Sequence, residues 1–201
     1  MVNEVIFDLE TQKLFSDTKT GSPEELGVSI VSVYKRELDD FYKEIAGEMI
    51  SFWEDELENL WELFQNADRI IGFNTYNFDI PVLSVYAPFP LRKLNHFDIM
   101  DEFKKIAGRR VSLNTLARDN LGVKKMDVGT NAVKYWRQND KESLSKLKRY
   151  CEDDVDITKR IYDHVFKTGE LKFKDRWNTL RKIEIDFSYP EQKDEEQIGL
   201  F

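Results

Sequence analysis

The stretch Val5-Ile6-Phe7-Asp8-Leu9-Glu10-Thr11 decides how the chain is read, because an apolar run changes there to two carboxylates one residue apart. In a β-strand successive side chains alternate faces, so Asp8 and Glu10 point to the same side. Two neighbouring like charges raise each other's pKa unless a cation neutralises them. The pair therefore needs a positive partner, from the chain or from solution.

Outward from this strand, 201 residues are expected to form one domain over residues 1–187, followed by a polar, frayed tail over 188–201. No apolar run approaches the length of a membrane span, and the charged start Asn3-Glu4 does not suit a signal peptide. The single Cys151 cannot form an internal disulfide, so a soluble cytoplasmic protein with no membrane partner is expected. A formal net charge of −8 argues at first against a polyanionic ligand, but the charge is partitioned. Residues 37–68 hold eleven acids against Lys43, whereas residues 104–149 hold thirteen bases against four acids. The basic segment reads either as a solvated face or as a phosphate-contacting one.

After the opening strand, the polar stretch Ser16 to Glu25 has the turn chemistry of Gly21-Ser22-Pro23 and is expected to order only on binding. Gly27 to Tyr34 predicts a second strand and Phe41 to Ile45 a third, completing an antiparallel meander. In Glu54 to Asp68 the apolar residues Leu57, Leu60, Trp61 and Phe64 follow helical spacing. Arg69 to Asn74 has the pattern of a buried parallel strand closed by turn residues, and Asp79 opens a helix over Ile80 to Tyr86. A short strand at Phe97 to Met100 follows, then helices over Glu102–Ala107, Leu113–Leu121, Ala132–Arg137 and Leu144–Val165. Ile183, Ile185 and Phe187 alternate with polar residues, which predicts a C-terminal hairpin over Leu171 to Phe187. The order describes an α/β protein with a mixed central sheet flanked by helices.

Three further groups bear on Asp8 and Glu10: Asp79 after a strand and turn, and Tyr150 with Asp154 in the longest helix. Each alone has a bland reading, as a strand end, a helix cap or a core tyrosine. Tyr150 and Asp154 are one helical turn apart and share a face, with Glu152 and Asp153 rotated away.

Together these residues resemble the DEDD (DnaQ-like) 3′–5′ exonucleases, which have a ribonuclease H-like fold, in their tyrosine-bearing subclass. Phe7-Asp8-Leu9-Glu10-Thr11 looks like the first family motif, Gly72-Phe73-Asn74-(x4)-Asp79 the second and Tyr150-(x3)-Asp154 the third. The histidine subclass places a histidine where this chain has Arg149. Glu25 to Ser29, Leu91 to Leu94 with Phe97 to Ile99, Ser112 to Ala117 and Ala132 to Trp136 resemble the branch related to the proofreading domain of family-B DNA polymerases. Members of that branch occur alone or fused to helicases. This chain has no G-x-x-x-x-G-K-[ST] motif, so a helicase or polymerase partner is expected to act in trans.

The resemblance implies a two-metal hydrolase that removes nucleoside 5′-monophosphates from the 3′ end of single-stranded nucleic acid, with DNA favoured over RNA. Asp8, Glu10, Asp79 and Asp154 are its implied metal ligands, and Tyr150 joins them in catalysis by orienting the attacking water. Oxygen ligands without thiolates or clustered histidines suit two Mg²⁺ or Mn²⁺ ions. Thr11, Asn74, Tyr76, Phe78, Lys124, Lys125 and Arg149 are candidates to contact the nucleic acid, Tyr76 and Phe78 by stacking on the terminal base. The alternatives are a non-catalytic nucleic-acid-binding module or partner subunit of a helicase or polymerase, and a structure-specific endonuclease on the same fold.

Overall fold

In the computed structural model, which describes residues 1–123 and 130–190, β1 (Val2–Thr11) is the central strand of a five-stranded mixed sheet. On one side, β2 (Val28–Leu38) and β3 (Glu44–Trp53) form an antiparallel meander. On the other, β4 (Arg69–Gly72) and β5 (His96–Asp98) run parallel to β1. The α-helices are α1 (Leu60–Gln65), α2 (Asp79–Leu83), α3 (Ile99–Ala107), α4 (Leu113–Leu116), α5 (Thr130–Gln138) and α6 (Lys141–Thr168). A separate C-terminal hairpin is made by β6 (Glu170–Lys174) and β7 (Leu180–Glu184). This is the α/β architecture expected of a ribonuclease H-like domain.

The pleat of β1 divides its side chains between two cores. Val5, Phe7 and Leu9 enter the first, with Leu57, Leu60, Trp61 and Phe64 from the α1 region and Ile80, Val82 and Leu83 from α2. Ile6 enters the second, against Val155, Ile161 and Tyr162 of α6 and Phe187 beyond the hairpin. Glu4, Asp8 and Glu10 share the face of Ile6 by the two-residue period, so α6 covers every acid of the strand. That placement builds the site.

The third strand departs from the expectation of Phe41 to Ile45. Residues 39–43 form the turn, with Asp39 Oδ1 accepting from the Phe41 and Lys43 amides at 2.9 Å each and Tyr42 at a φ of 58°. The strand itself runs from Glu44 to Trp53 at the sheet edge, where only Phe52 is buried and little hydrophobic alternation is left to read. β2 likewise continues past Tyr34 to Leu38, because Lys35 pairs with Glu48 across the sheet and Arg36 is buried on Glu4.

The helices also shift. Residues 54–59 are 3₁₀, so α1 is shorter than the apolar spacing suggested, and α2 ends at Leu83. Asp98 caps α3, which therefore begins at Ile99 and absorbs the end of the strand expected there. Only Leu113–Leu116 of the helix expected to Leu121 is α; a π-helical turn follows. Asp140 caps α6, which outruns its expected limits at both ends. Within the stretch Ser16 to Glu25, Glu25 accepts the Lys19 amide at 2.7 Å and Asp17 pairs with Arg137. Beyond the hairpin, Tyr189 donates to Glu4 at 2.7 Å and its ring lies 3.6 Å from the Arg69 guanidinium, so ordered packing continues past residue 187.

Candidate active site

Asp8 and Glu10, both partly exposed, meet the buried Asp154 of α6, and one carboxylate oxygen from each lies within 4.8 Å of the others. The strand supplies two of these groups through its period, and the helix supplies the third because α6 crosses the same face. Cys151 seats the helix there, its Sγ donating to the Asp8 carbonyl at 3.4 Å. Burial, with the nearby Asp8 and Glu10 charges, pushes the Cys151 thiol well up, so it is a neutral spacer. Tyr150, also buried, stands one turn before Asp154.

Asp79, at the start of α2, is 2% exposed and Oδ1 of its carboxyl group has no hydrogen-bond partner among the described residues. Its pKa is pushed up to about 7, first by burial and then by the Asp98 and Asp154 charges, against a lowering contribution from the Leu9 amide. The Leu9 amide lies on β1 between Asp8 and Glu10, so Asp79 stands beside their cluster, outside the three carboxylate oxygens that meet within 4.8 Å. A raised folded-state pKa means that the folded protein holds this proton more tightly than the unfolded chain. The associated stability is complete below the unfolded value near 4 and is lost as pH rises through about 7. In EDTA, the melting temperature is expected to fall from pH 5 to pH 8, by an amount equivalent to at most about 3 kcal/mol from this group. Asp79→Asn should flatten that slope, and an unchanged slope in thermal melts would refute the assignment.

The turn that delivers Asp79 is built on Asp98, a residue the sequence reading left without a role. Its buried carboxylate accepts the Asn74 amide at 2.8 Å and the Tyr76 amide at 3.1 Å while capping α3. An aspartate just before a helical run was the available signal. Asn74 adopts the left-handed conformation, with φ 66°. A Cβ on Gly72 would overlap the Thr75 Cγ2 methyl and stand 3.3 Å from the Phe7 carbonyl oxygen. Gly72→Ala is accordingly expected to cost about 1–3 kcal/mol. Adding Thr75→Ser, which removes the methyl, should recover most of that loss in urea denaturation of the four proteins. Strict additivity would count against the clash.

The remaining candidates are spread more widely. Phe78 packs partly on the first core with its ring 6.1 Å from that of the half-exposed Phe15. Tyr76 donates through its hydroxyl to the His96 carbonyl at 3.3 Å, and Asn74 Oδ1 accepts from Arg110. Thr11 is buried and donates to the Lys13 carbonyl at 2.9 Å. Arg149 is exposed beside Asp153, at 4.0 Å, and rotated off the Tyr150–Asp154 face. Lys124 and Lys125 lie outside the described residues.

No helix among the described residues is long and apolar enough to cross a membrane. No curated protein matches the chain. The RNase_H_2 family model, of the RNase H superfamily, matches residues 5–166, a span that runs from β1 into α6 and contains Asp8, Glu10, Asp79 and Asp154. The chain therefore belongs to the RNase_H_2 family of the RNase H superfamily.

Proposed function

We propose that the chain is a divalent-metal-dependent 3′–5′ exonuclease acting on single-stranded ends, of the tyrosine-bearing DEDD subclass and related to family-B polymerase proofreading domains. The observation that carries this reading is the meeting of Asp8, Glu10 and Asp154 within 4.8 Å, from strand and helix segments far apart in sequence. Membership of the RNase H superfamily supports a metal-dependent nuclease.

The donor set fits Mg²⁺ or Mn²⁺. It offers carboxylate oxygens and no thiolate, since Cys151 is held protonated, and the buried Asp79 oxygen is one more donor. Asp8, Glu10 and Asp154 would hold one ion, and Asp79, with Asp8 shared, a second. Bound ions supply Lewis acidity and lower the pKa of water at the scissile phosphate. The Tyr150 hydroxyl orients the attacking water, one turn from Asp154. The exposed edge of the Phe15–Phe78 pair stacks on the terminal base and presents the last phosphodiester to the carboxylates. Cleavage releases a nucleoside 5′-monophosphate and leaves a new 3′ hydroxyl.

The test is a panel of 3′-labelled single-stranded DNA, duplex DNA and single-stranded RNA with Mg²⁺ or Mn²⁺, together with a circular single strand. Mononucleotide release from linear strands and an intact circle are expected. Cleavage of the circle would make the protein an endonuclease, and binding without hydrolysis would make it a non-catalytic module.

A further inference from the structure

A cavity of about 560 Å³ opens beside the turn that leads to Asp79. Arg109 and Arg110 from the α3–α4 loop and Lys174 from the end of β6 converge on it, over Phe73, Asn74 and Met100. Arg110 donates to Asn74 Oδ1, which ties the cavity to the second motif. Asp79 follows Asn74 by five positions, so their Cα atoms lie no more than about 18 Å apart. Among the described residues, none of the three cations has a carboxylate within ion-pairing distance. Asp119, whose carboxylate accepts the Lys174 amide, is paired with Arg118.

Most other described bases of the segment are ion-paired, Lys104, Lys134 and Lys141 excepted. Lys105 pairs with Glu102, Arg137 with Asp17, Lys146 with Glu142, Lys148 with Glu152 and Arg149 with Asp153. An acidic chain that draws a polyanion toward a carboxylate cluster needs cations whose charge is not already spent locally. The cavity concentrates three of them on two segments distant in sequence.

We propose that Arg109, Arg110 and Lys174 form a phosphate-binding subsite that grips the backbone of the substrate strand away from its cleaved end. The assignment rests on the nuclease reading, but binding tests it without turnover. The ligand chemistry is the phosphodiester of a bound strand; a lone mononucleotide presents one phosphate and cannot engage all three cations at successive positions.

The experiment titrates a fluorescein-labelled single-stranded oligodeoxynucleotide with the full chain in EDTA across a salt series. Each phosphate contact on a single strand contributes about 0.7 to the slope of log affinity against log salt. The variant R109Q/R110Q/K174Q is expected to lower the slope magnitude by about 2. The control K105Q/R118Q/K146Q, drawn from ion-paired cations, should leave it within experimental error. If losing the Arg110 bond to Asn74 unfolds the triple variant, R109Q/K174Q carries the test with an expected drop of about 1.4. An unchanged slope overturns the proposal, as does an equal drop in the control, and so does thymidine monophosphate competing as well as the strand. If the wild type hydrolyses no labelled strand with Mn²⁺ while the slope difference persists, the nuclease reading fails and the subsite stands.

Discussion

Asp154→Asn is expected to lower Mn²⁺-dependent hydrolysis of a 3′-labelled strand by about 10³-fold while raising the melting temperature of the metal-free protein. The two effects have one cause. Asp154 is buried, and its carboxylate lies within 4.8 Å of those of Asp8 and Glu10. With no ion between them, like charges at that spacing repel by a few kcal/mol, at the effective dielectric of roughly 20 that suits protein sites. The isosteric amide keeps the shape of the side chain and removes one charge. A rise of about 2–4 °C is expected at pH 7.5 in EDTA, on the scale of 1 kcal/mol for a chain of this size. With Mn²⁺ the order should reverse, because the wild type gains more from the ion than the variant does. Retained activity in the variant would falsify the metal-site assignment. A variant less stable than the wild type in EDTA would mark Asp154 as a structural acceptor.

Glu4→Ala has the opposite profile, a large loss of stability with chemistry preserved. The Glu4 side chain is fully buried and Arg36 nearly so, joined by bonds of 2.7 Å from Nε and 2.6 Å from Nη2. Glu4 Oε1 also accepts from Tyr162 at 3.1 Å and from Tyr189 at 2.7 Å, while Arg69 donates to the Tyr162 hydroxyl at 2.7 Å. Burial and the Glu4 charge together push the Tyr162 hydroxyl well above its ordinary pKa, so it stays a donor at any working pH. Truncating Glu4 leaves a buried guanidinium short of its main partner and two phenols without an acceptor. A cost of about 3–5 kcal/mol is expected. At 2–4 °C per kcal/mol, that lowers the melting point by roughly 10 °C. Arg36 keeps Asp163 at 2.8 Å and Glu44 at 3.2 Å, which holds the loss short of complete unfolding. Below its lowered melting point the variant should still hydrolyse the labelled strand, since Glu4 belongs to a different cluster. Glu4→Gln keeps an acceptor for the phenols and should cost less. Equal melting of Glu4→Ala and wild type would refute the buried network.

These two predictions separate acids that look alike in sequence. Glu4, Asp8 and Glu10 lie on one face of one strand, and spacing alone makes them a single acidic stripe. Arg36, thirty-two residues away, neutralises the first, whereas Asp154 faces the other two. The basic segment divides in the same way, because i to i+4 partners neutralise Lys146 and Arg149 while Arg109 and Arg110 open onto a cavity.

By itself the sequence determined the central strand, the parallel pairing partner at Arg69 to Gly72 and the long helix. These rest on local period and apolar run length, which the chain carries within a few residues. Tertiary structure alone decided the extent of the edge strand, the role of Asp98 beneath the Asn74 turn, and which charges are already spent. Part of the charge compensation joins groups more than a hundred residues apart, as with Arg36 and Asp163, and no local pattern encodes such a distance.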